Sequence, residues 1–212
     1  MIRTKPAMRA TEEMEGHSTK RAEITDKRSD EVLMELISQG DQSAFSQLYL
    51  RYQPRLVKYC ARVLRDDVAQ AADLVDEAMF DVWRSAENFA GRSKVSTWIY
   101  SIARNKVVSW LRKTTEMTLE DESILDAMID PAAGPHEELA LDDMKQQLLR
   151  LMDQLTEEHR EVIRLTYFED KSVKDVANIL DISENTVKTR MFYARKRLAQ
   201  LLEKAGIVGF EP

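Results

Sequence analysis

The sequence predicts an all-α protein made of two small helical domains joined by an acidic linker. Apolar residues recur at helical spacing along most of the chain, and no stretch alternates apolar and polar residues as a half-buried strand does. Residues 114–143 contain 10 acidic residues and no basic ones, and they include Pro131, Gly134 and Pro135. The predicted divisions are a flexible tail (1–28), a first domain (29–113), the linker (114–139), a second domain (140–206) and a C-terminal tail (207–212).

Five helices are predicted in the first domain. In order, they lie near 30–39, ending at Gly40; around Phe45 to Tyr52; from Pro54 through Leu64; at about 68–86; and after Ser96. Pro54 is assigned to the first turn of the third helix, where its missing N–H breaks no helical hydrogen bond. Cys60 lies on the apolar stripe of that helix, which favours a buried structural thiol over a nucleophile.

The second domain contains a predicted helix-turn-helix. After a helix that ends near Leu155, Thr156 is a suitable N-cap for the next one. The following helix is predicted to bury Val173, Val176, Ala177 and Leu180. Asp181 and Ile182 break its phase, and Ser183 is a suitable N-cap for the last helix. That helix is predicted to bury Val187, Met191, Ala194, Leu198 and Leu201, and to expose Asn185, Lys188, Thr189, Phe192 and Lys196.

An exposed face of amide, hydroxyl and basic groups on the second helix of such a pair is how a helix-turn-helix reads the major groove of DNA. A plain helical hairpin with a solvated basic face is the alternative. The formal charge of −6 over the whole chain argues against a nucleic-acid partner, but the basic residues are clustered in two segments. Residues 88–115 contain six bases and no acid, and residues 188–197 contain five bases and no acid.

Several classes of protein are disfavoured by composition. The three histidines are far apart and the single cysteine has no partner at ligand spacing, so we expect no metal, no cofactor and no internal disulfide. We find no phosphate-binding loop and no nucleophile beside a base, so we expect no enzymatic activity and no small-molecule substrate. No apolar run approaches the length of a membrane span, and a cytoplasmic location is predicted.

Three adjacent features in the first domain suggest binding surfaces. The amphipathic stretch from Asp73 to Trp83 carries carboxylates beside apolar residues, a pattern that also fits a solvated face. A short basic loop follows from Phe89 to Ser96. The next stretch, from Thr97 to Asn105, mixes aromatic and basic residues, as surfaces that hold unstacked bases do. Its aromatic residues also suit a core, and for Trp98 we favour the core.

The order of these features resembles the extracytoplasmic-function sigma factors of bacterial RNA polymerase. The resemblance covers about residues 30–204 and includes Leu-Thr-Glu-Glu-His-Arg-Glu-Val-Ile before the helix-turn-helix. Asp181 departs from it, because many relatives have glycine in that turn. The long N-terminal tail is also atypical, and Met8 and Met14 are alternative starts.

The resemblance implies three sets of site residues. Those implied to bind polymerase are Asp73, Leu74, Asp76, Glu77, Asp81 and Val82, with Leu74 and Val82 supporting the helix. Those implied to bind the minus-ten promoter strand are Phe89, Arg92, Ser93, Lys94, Trp98, Tyr100, Arg104, Asn105 and Lys106. Those implied to bind minus-thirty-five DNA are Ser183, Glu184, Asn185, Thr186, Lys188, Thr189, Arg190, Arg195 and Lys196.

The implied function is an alternative sigma factor, responsive to stress, that takes RNA polymerase core and promoter DNA as partners and is controlled by an anti-sigma factor. The resemblance further implies that the linker follows the RNA exit path of polymerase, although an acidic linker is also explained by solubility alone. Two other functions stay open: a dimeric helix-turn-helix regulator, and a sigma-like protein that titrates a regulator.

Overall fold

The computed structural model describes residues 28–120 and 141–206, and every regular element in those ranges is helical. The elements are α1 (Asp30–Ser38), α2 (Gln42–Val63), α3 (Val68–Ser85), a 3-10 turn (Ala86–Asn88), α4 (Val95–Glu120), α5 (Leu141–Met152), α6 (Glu157–Ile163), a π-helical turn (Arg164–Phe168), α7 (Val173–Leu180) and α8 (Glu184–Lys204). The predicted all-α fold class is confirmed. The predictions for the tails and for the proline-containing part of the linker lie outside the described residues.

The predicted second and third helices are a single helix, α2, with Pro54 inside it. The prediction of a break there was wrong. Pro54 removes one hydrogen bond within the helix, but the buried stripe of Leu48, Tyr52, Leu56 and Tyr59 continues through it without a change of phase. Packing of that stripe therefore outweighs the local preference of proline for a helix start.

Helices α1 to α4 form the first bundle. Helix α3 packs between α2 and α4, and its buried face carries Leu74, Val75, Ala78 and Val82. Helix α4 does not end at the predicted boundary after residue 113 but continues to Glu120, inside the segment predicted to be a linker.

Helices α5 to α8 form the second bundle around α8, which contacts α5, α6 and α7. Its inner stripe of Val187, Met191, Ala194, Leu198 and Leu201 is buried, as predicted. Helix α7 also packs against α4, so the two bundles contact each other directly. Within the described ranges, no helix combines the length and apolarity that crossing a bilayer requires.

Candidate nucleic-acid and polymerase surfaces

The turn between α7 and α8 has the geometry that the sequence predicts. Asp181 adopts a left-handed conformation (φ 54°, ψ 49°), which suits glycine best but is open to aspartate. Ser183 then caps α8, its hydroxyl oxygen accepting a hydrogen bond from the backbone N–H of Thr186 at 3.0 Å. The turn and the cap together fix the direction in which α8 leaves the bundle.

The outward side of α8 is a polar and basic surface, which we call the recognition face. Its exposed members are Ser183, Glu184, Asn185, Lys188, Thr189 and Lys196, with Thr186, Arg190 and Arg195 half-buried at its margins. The Thr189 hydroxyl donates to the carbonyl oxygen of Asn185 at 3.0 Å. This face therefore brings together all nine residues predicted for minus-thirty-five DNA.

The exposed side of α3 carries four carboxylates, which we call the acidic face: Asp73, Asp76, Glu77 and Asp81. Leu74 and Val82 lie on the opposite, buried side of α3. Leu74 and Val82 can therefore contribute to binding only by holding the helix in place.

Neighbouring helices fix the orientation of the acidic face. The Tyr49 hydroxyl of α2 donates to Asp76 at 2.7 Å. The Lys106 ammonium of α4 lies 2.8 Å from the carboxylate of Asp81 and 3.4 Å from that of Glu77. The hydrogen bond from Lys106 lowers the pKa of Asp81, and the charge of Arg84 acts in the same direction. Lys106, predicted for the minus-ten strand, is thus paired with the acidic face in this structure.

The third surface, which we call the strand face, runs from Phe89 in the loop before α4 to Lys106 on that helix. Gly91 takes a left-handed conformation (φ 67°) at the tip of the loop, beside exposed Arg92. The Phe89 and Trp98 rings pack against each other with centroids 5.1 Å apart, and both are half-buried. Asn105 is exposed farther along α4, and Ser93 is half-buried in the loop.

Three members of the strand face, however, are engaged by the second bundle. The Lys94 ammonium donates to Asp175 of α7 at 3.0 Å. The Tyr100 hydroxyl donates to Glu169 at 2.5 Å. Arg104 donates from Nε to one oxygen of Glu161 at 2.6 Å and from a terminal nitrogen to the other at 3.2 Å. In this arrangement only 2% of Tyr100 is exposed.

Burial and charge at these contacts shift two pKa values. Desolvation raises the pKa of Tyr100 well above its ordinary value, and the hydrogen bond to Glu169 raises it further. Burial acts to raise the pKa of Asp175, but hydrogen bonds from Ser172, Lys94 and Thr97 outweigh it and lower that pKa to about 2. Asp175 is therefore a carboxylate, and Tyr100 a neutral phenol, at neutral pH.

Comparison with known proteins identifies what these surfaces belong to. The profile described as Sigma-70 region 2 matches residues 48–116, and that described as Sigma-70, region 4 matches residues 145–198. Together they cover more than half of the chain. The chain belongs to the sigma-70 family. The strand face and the acidic face both lie in the region 2 match, and the recognition face lies in the region 4 match.

The relatives place the chain among the extracytoplasmic-function members of the sigma-70 family. The RNA polymerase sigma-H factor of Pseudomonas aeruginosa is 29% identical over 185 residues, covering 84% of this chain and 95% of its own. The ECF RNA polymerase sigma-E factor of Escherichia coli K12 is 27% identical over 185 residues, covering 82% and 95%.

A solved structure gives the same assignment. The sigma factor RpoE of Bartonella quintana, solved in complex with the anti-sigma factor NepR, is 28% identical with a TM-score of 0.63. The match covers 75% of this chain and 96% of that one.

Three residues of the second bundle contact the strand face but were not predicted from the sequence: Glu161, Glu169 and Asp175. Glu161 did leave a local signal in the sequence, because it directly precedes the apolar pair Val162 and Ile163. In the structure it lies on a short helix and is only 7% exposed. A carboxylate that is buried so completely needs a partner, and the two arginines nearest to it in the sequence, Arg160 and Arg164, pair with Glu157 instead.

Proposed function

We propose that this chain is an alternative sigma factor that binds RNA polymerase core and directs it to a specific class of promoters. The observation that carries the proposal is the presence, on one chain, of an acidic helix face and two separate cationic surfaces. A DNA-binding regulator needs only one such cationic surface. A protein that acts on promoter DNA while bound to polymerase needs all three.

The acidic face is assigned to polymerase. Asp73, Asp76 and Glu77 are exposed, and Asp81 is held beside them by Lys106. Four carboxylates on one helix face favour a basic partner surface and speed its encounter. The buried side of α3 anchors this face to the first bundle, so docking positions the strand face at the same time.

The strand face is assigned to the minus-ten promoter region. Phe89 supplies aromatic surface for stacking, and Trp98 supports it by packing against its ring. The basic side chains from Arg92 to Lys106 follow a phosphate backbone. Extruding a base from the duplex costs a few kcal/mol, and stacking on an aromatic ring is worth about 1–3 kcal/mol per base. Stacking together with backbone charge therefore offsets the loss of pairing, and no nucleotide hydrolysis is required.

The recognition face is assigned to duplex minus-thirty-five DNA. Asn185 pairs well with adenine and Glu184 accepts from cytosine, while Lys188, Arg190 and Lys196 suit phosphates or guanine. If about four basic side chains contact phosphates, the logarithm of the binding constant should fall with the logarithm of the salt concentration, with a slope of roughly −3.6. Polymerase holds both DNA surfaces near the promoter, so neither needs high affinity alone.

An anti-sigma factor is assigned as a third partner, because the Bartonella quintana relative was solved in complex with one. We place the protein in the cytoplasm, where polymerase and chromosome are, and assign it no catalytic step. The inducing stress acts through this partner.

Run-off transcription tests the proposal. Core polymerase is supplied with a promoter library, with and without the purified protein, and the start sites are sequenced. We expect a shared pair of upstream elements to appear only when the protein is present. Transcripts that never depend on it would refute the function. Tight, specific binding of duplex promoter DNA without polymerase would instead support an ordinary helix-turn-helix regulator.

A further inference from the structure

The loop at the start of the strand face (residues 89–94) depends on its two flanks for its position. It runs from the 3-10 turn to the start of α4. Within this described loop the bonding is slight: the Ser93 hydroxyl donates to the carbonyl oxygen of Lys94 at 3.4 Å. The two flanks, by contrast, are buried, with Ala86 4% exposed and Val95 0% exposed. The contacts that hold these flanks therefore also hold the loop.

Helix α1 packs against both flanks, because it contacts the 3-10 turn and α4 as well as α2. Its inner side is apolar and buried, and consists of Leu33, Met34 and Ile37. Apolar packing is non-directional, so it fixes the orientation of a helix of nine residues less closely than a hydrogen bond to a charged group does. Asp30, in the first turn of α1, makes bonds of that directional kind.

Asp30 is tied to two side chains of α2. Arg51 donates to one carboxylate oxygen of Asp30, and the Tyr52 hydroxyl donates to the other. A terminal nitrogen of Arg51 also donates to the carbonyl oxygen of Arg28 at 3.0 Å. Only 6% of Tyr52 is exposed, so water competes little for its bond to Asp30.

Tyr52 continues this connection to α4. Burial raises the pKa of Tyr52 well above its ordinary value, and the hydrogen bond to Asp30 raises it further, so the phenol is neutral. A neutral phenol has one proton to donate. Because that proton goes to Asp30, the hydrogen bond between Tyr52 and Ser96 is one that the Ser96 hydroxyl donates. Ser96 lies in the first turn of α4, directly behind the loop, so polar contacts join α1, α2 and α4 at this point.

We propose that Asp30 and Tyr52 are positioning residues for the strand face, which act through Ser96 to hold the loop where Phe89 can accept an extruded base. This inference rests on the proposed function and adds to it two residues that are not assigned to DNA. A loop that is already in place binds its ligand more tightly than one that the ligand must first order. Phe89 can therefore offset the cost of extrusion only if its loop is held in advance.

The test removes single hydroxyl groups. Tyr52→Phe keeps the buried ring, and Ser96→Ala removes the hydroxyl at the other end of the same bond. Core polymerase with the full chain in excess is mixed with a promoter recovered by run-off transcription, in which 2-aminopurine replaces one base of the minus-ten strand. The rise in fluorescence measures strand opening, and anisotropy measures binding of the chain to polymerase.

Both variants should impair opening more than polymerase binding. We expect the equilibrium constant for opening to fall about tenfold with Tyr52→Phe, which loses a hydrogen bond to a charged group, and less with Ser96→Ala. Binding to polymerase should stay within about twofold of wild type. Unchanged opening with both variants would overturn the proposal, and Ser96→Ala keeps the test decisive if Tyr52→Phe impairs folding.

Asp30→Ala and Asp41→Ala form a matched pair that separates positioning from lost stability. Each aspartate accepts two hydrogen bonds, and each substitution removes one negative charge from the same bundle. Those to Asp41 come from the backbone N–H groups of Ser43 at 2.8 Å and Ala44 at 3.0 Å, at the start of α2. Asp30→Ala should reduce opening at least as much as Tyr52→Phe, and Asp41→Ala should open within about twofold of wild type. Equal defects in variants that urea unfolding shows to be equally stable would refute the inference.

A spin label in the loop reports its position without DNA or polymerase. The label is attached at Ala90→Cys, an exposed position, while Cys60 is buried and its raised pKa slows its reaction. Tyr52→Phe should narrow the spectrum because the loop moves more freely, and Asp41→Ala should leave it unchanged. An unchanged spectrum with Tyr52→Phe would refute this inference alone. A loop that loosens as expected, in a chain that never supports transcription, would refute only the proposed function.

Discussion

Reversing two charges on the acidic face, Asp76→Arg with Glu77→Arg, should strongly weaken association with polymerase while leaving the protein folded. Folding loses a hydrogen bond from Tyr49 at 2.7 Å and an ion pair with Lys106 at 3.4 Å in which the Glu77 side chain is 61% exposed. A neutral donor to a carboxylate and an exposed ion pair contribute together about 1–2 kcal/mol. That is a minor part of the roughly 5–15 kcal/mol that stabilises a typical domain.

The two reversals should reduce the free energy of binding to polymerase more than they reduce the free energy of unfolding. Each reversal replaces an attraction across the interface by a repulsion, and for two positions we expect about 2–4 kcal/mol in total. This corresponds to a dissociation constant that is about 30- to 1,000-fold weaker. The difference between the two effects is what identifies a docking surface, because a merely structural role would lower stability and binding together.

The assay is titration of the labelled protein with core polymerase, followed by fluorescence anisotropy, with urea unfolding run in parallel. Glu31→Arg with Glu35→Arg is the matched control, since it reverses two exposed carboxylates on α1 of the same bundle. The control should bind within about threefold of wild type. If the Asp76 and Glu77 variant binds polymerase as tightly as the control does, the assignment of the acidic face is refuted.

Four further outcomes are expected. Lys188→Ala with Arg190→Ala should reduce recognition of the upstream promoter element and lower the salt slope of duplex binding by up to about 1.8, measured by anisotropy at several salt concentrations; an unchanged slope contradicts the phosphate contacts. Asp181→Val should destabilise the protein by about 1–2 kcal/mol in urea while Asp181→Gly is tolerated, because only the first conflicts with a φ of 54°; equal stability of the two would contradict this. Burial raises the pKa of Cys60 to about 12, so iodoacetamide at pH 8 should modify the folded protein far more slowly than the unfolded one, as mass spectrometry will show. The pKa of Asp175 is lowered from 3.8 to about 2, so it should contribute about 2 kcal/mol of stability above pH 4 that is lost as the pH falls toward 2; Asp175→Asn should remove that part of the dependence in urea unfolding at pH 5 and pH 3.

Local chemistry made much of the second bundle predictable. Thr156 and Ser183 are short hydroxyl residues directly before an apolar period, and both cap the helices that follow. The stripe from Val187 to Leu201 repeats at helical spacing and is buried. The signals involved are complete within about a dozen residues, so no knowledge of distant partners was needed.

Pro54 shows where local chemistry was insufficient. The preference of proline for a helix start is a local effect, whereas the packing of α2 against α3 and α1 involves the whole helix. The same limit applies to the function of α4. Its basic residues were visible in the sequence, but the carboxylates that pair with Lys94 and Arg104 lie 81 and 57 positions away.

Opposite charges meet at the contact between the two bundles, where Lys94 pairs with Asp175 and Arg104 with Glu161. A strand face that attracts phosphates also attracts any carboxylate that the chain can bring to it, and the connection between the bundles keeps the carboxylates of α6 and α7 at high effective concentration. Added salt should weaken binding to DNA more than it weakens the internal contact, because the Arg104–Glu161 pair is largely buried and buried ion pairs are screened less than exposed ones.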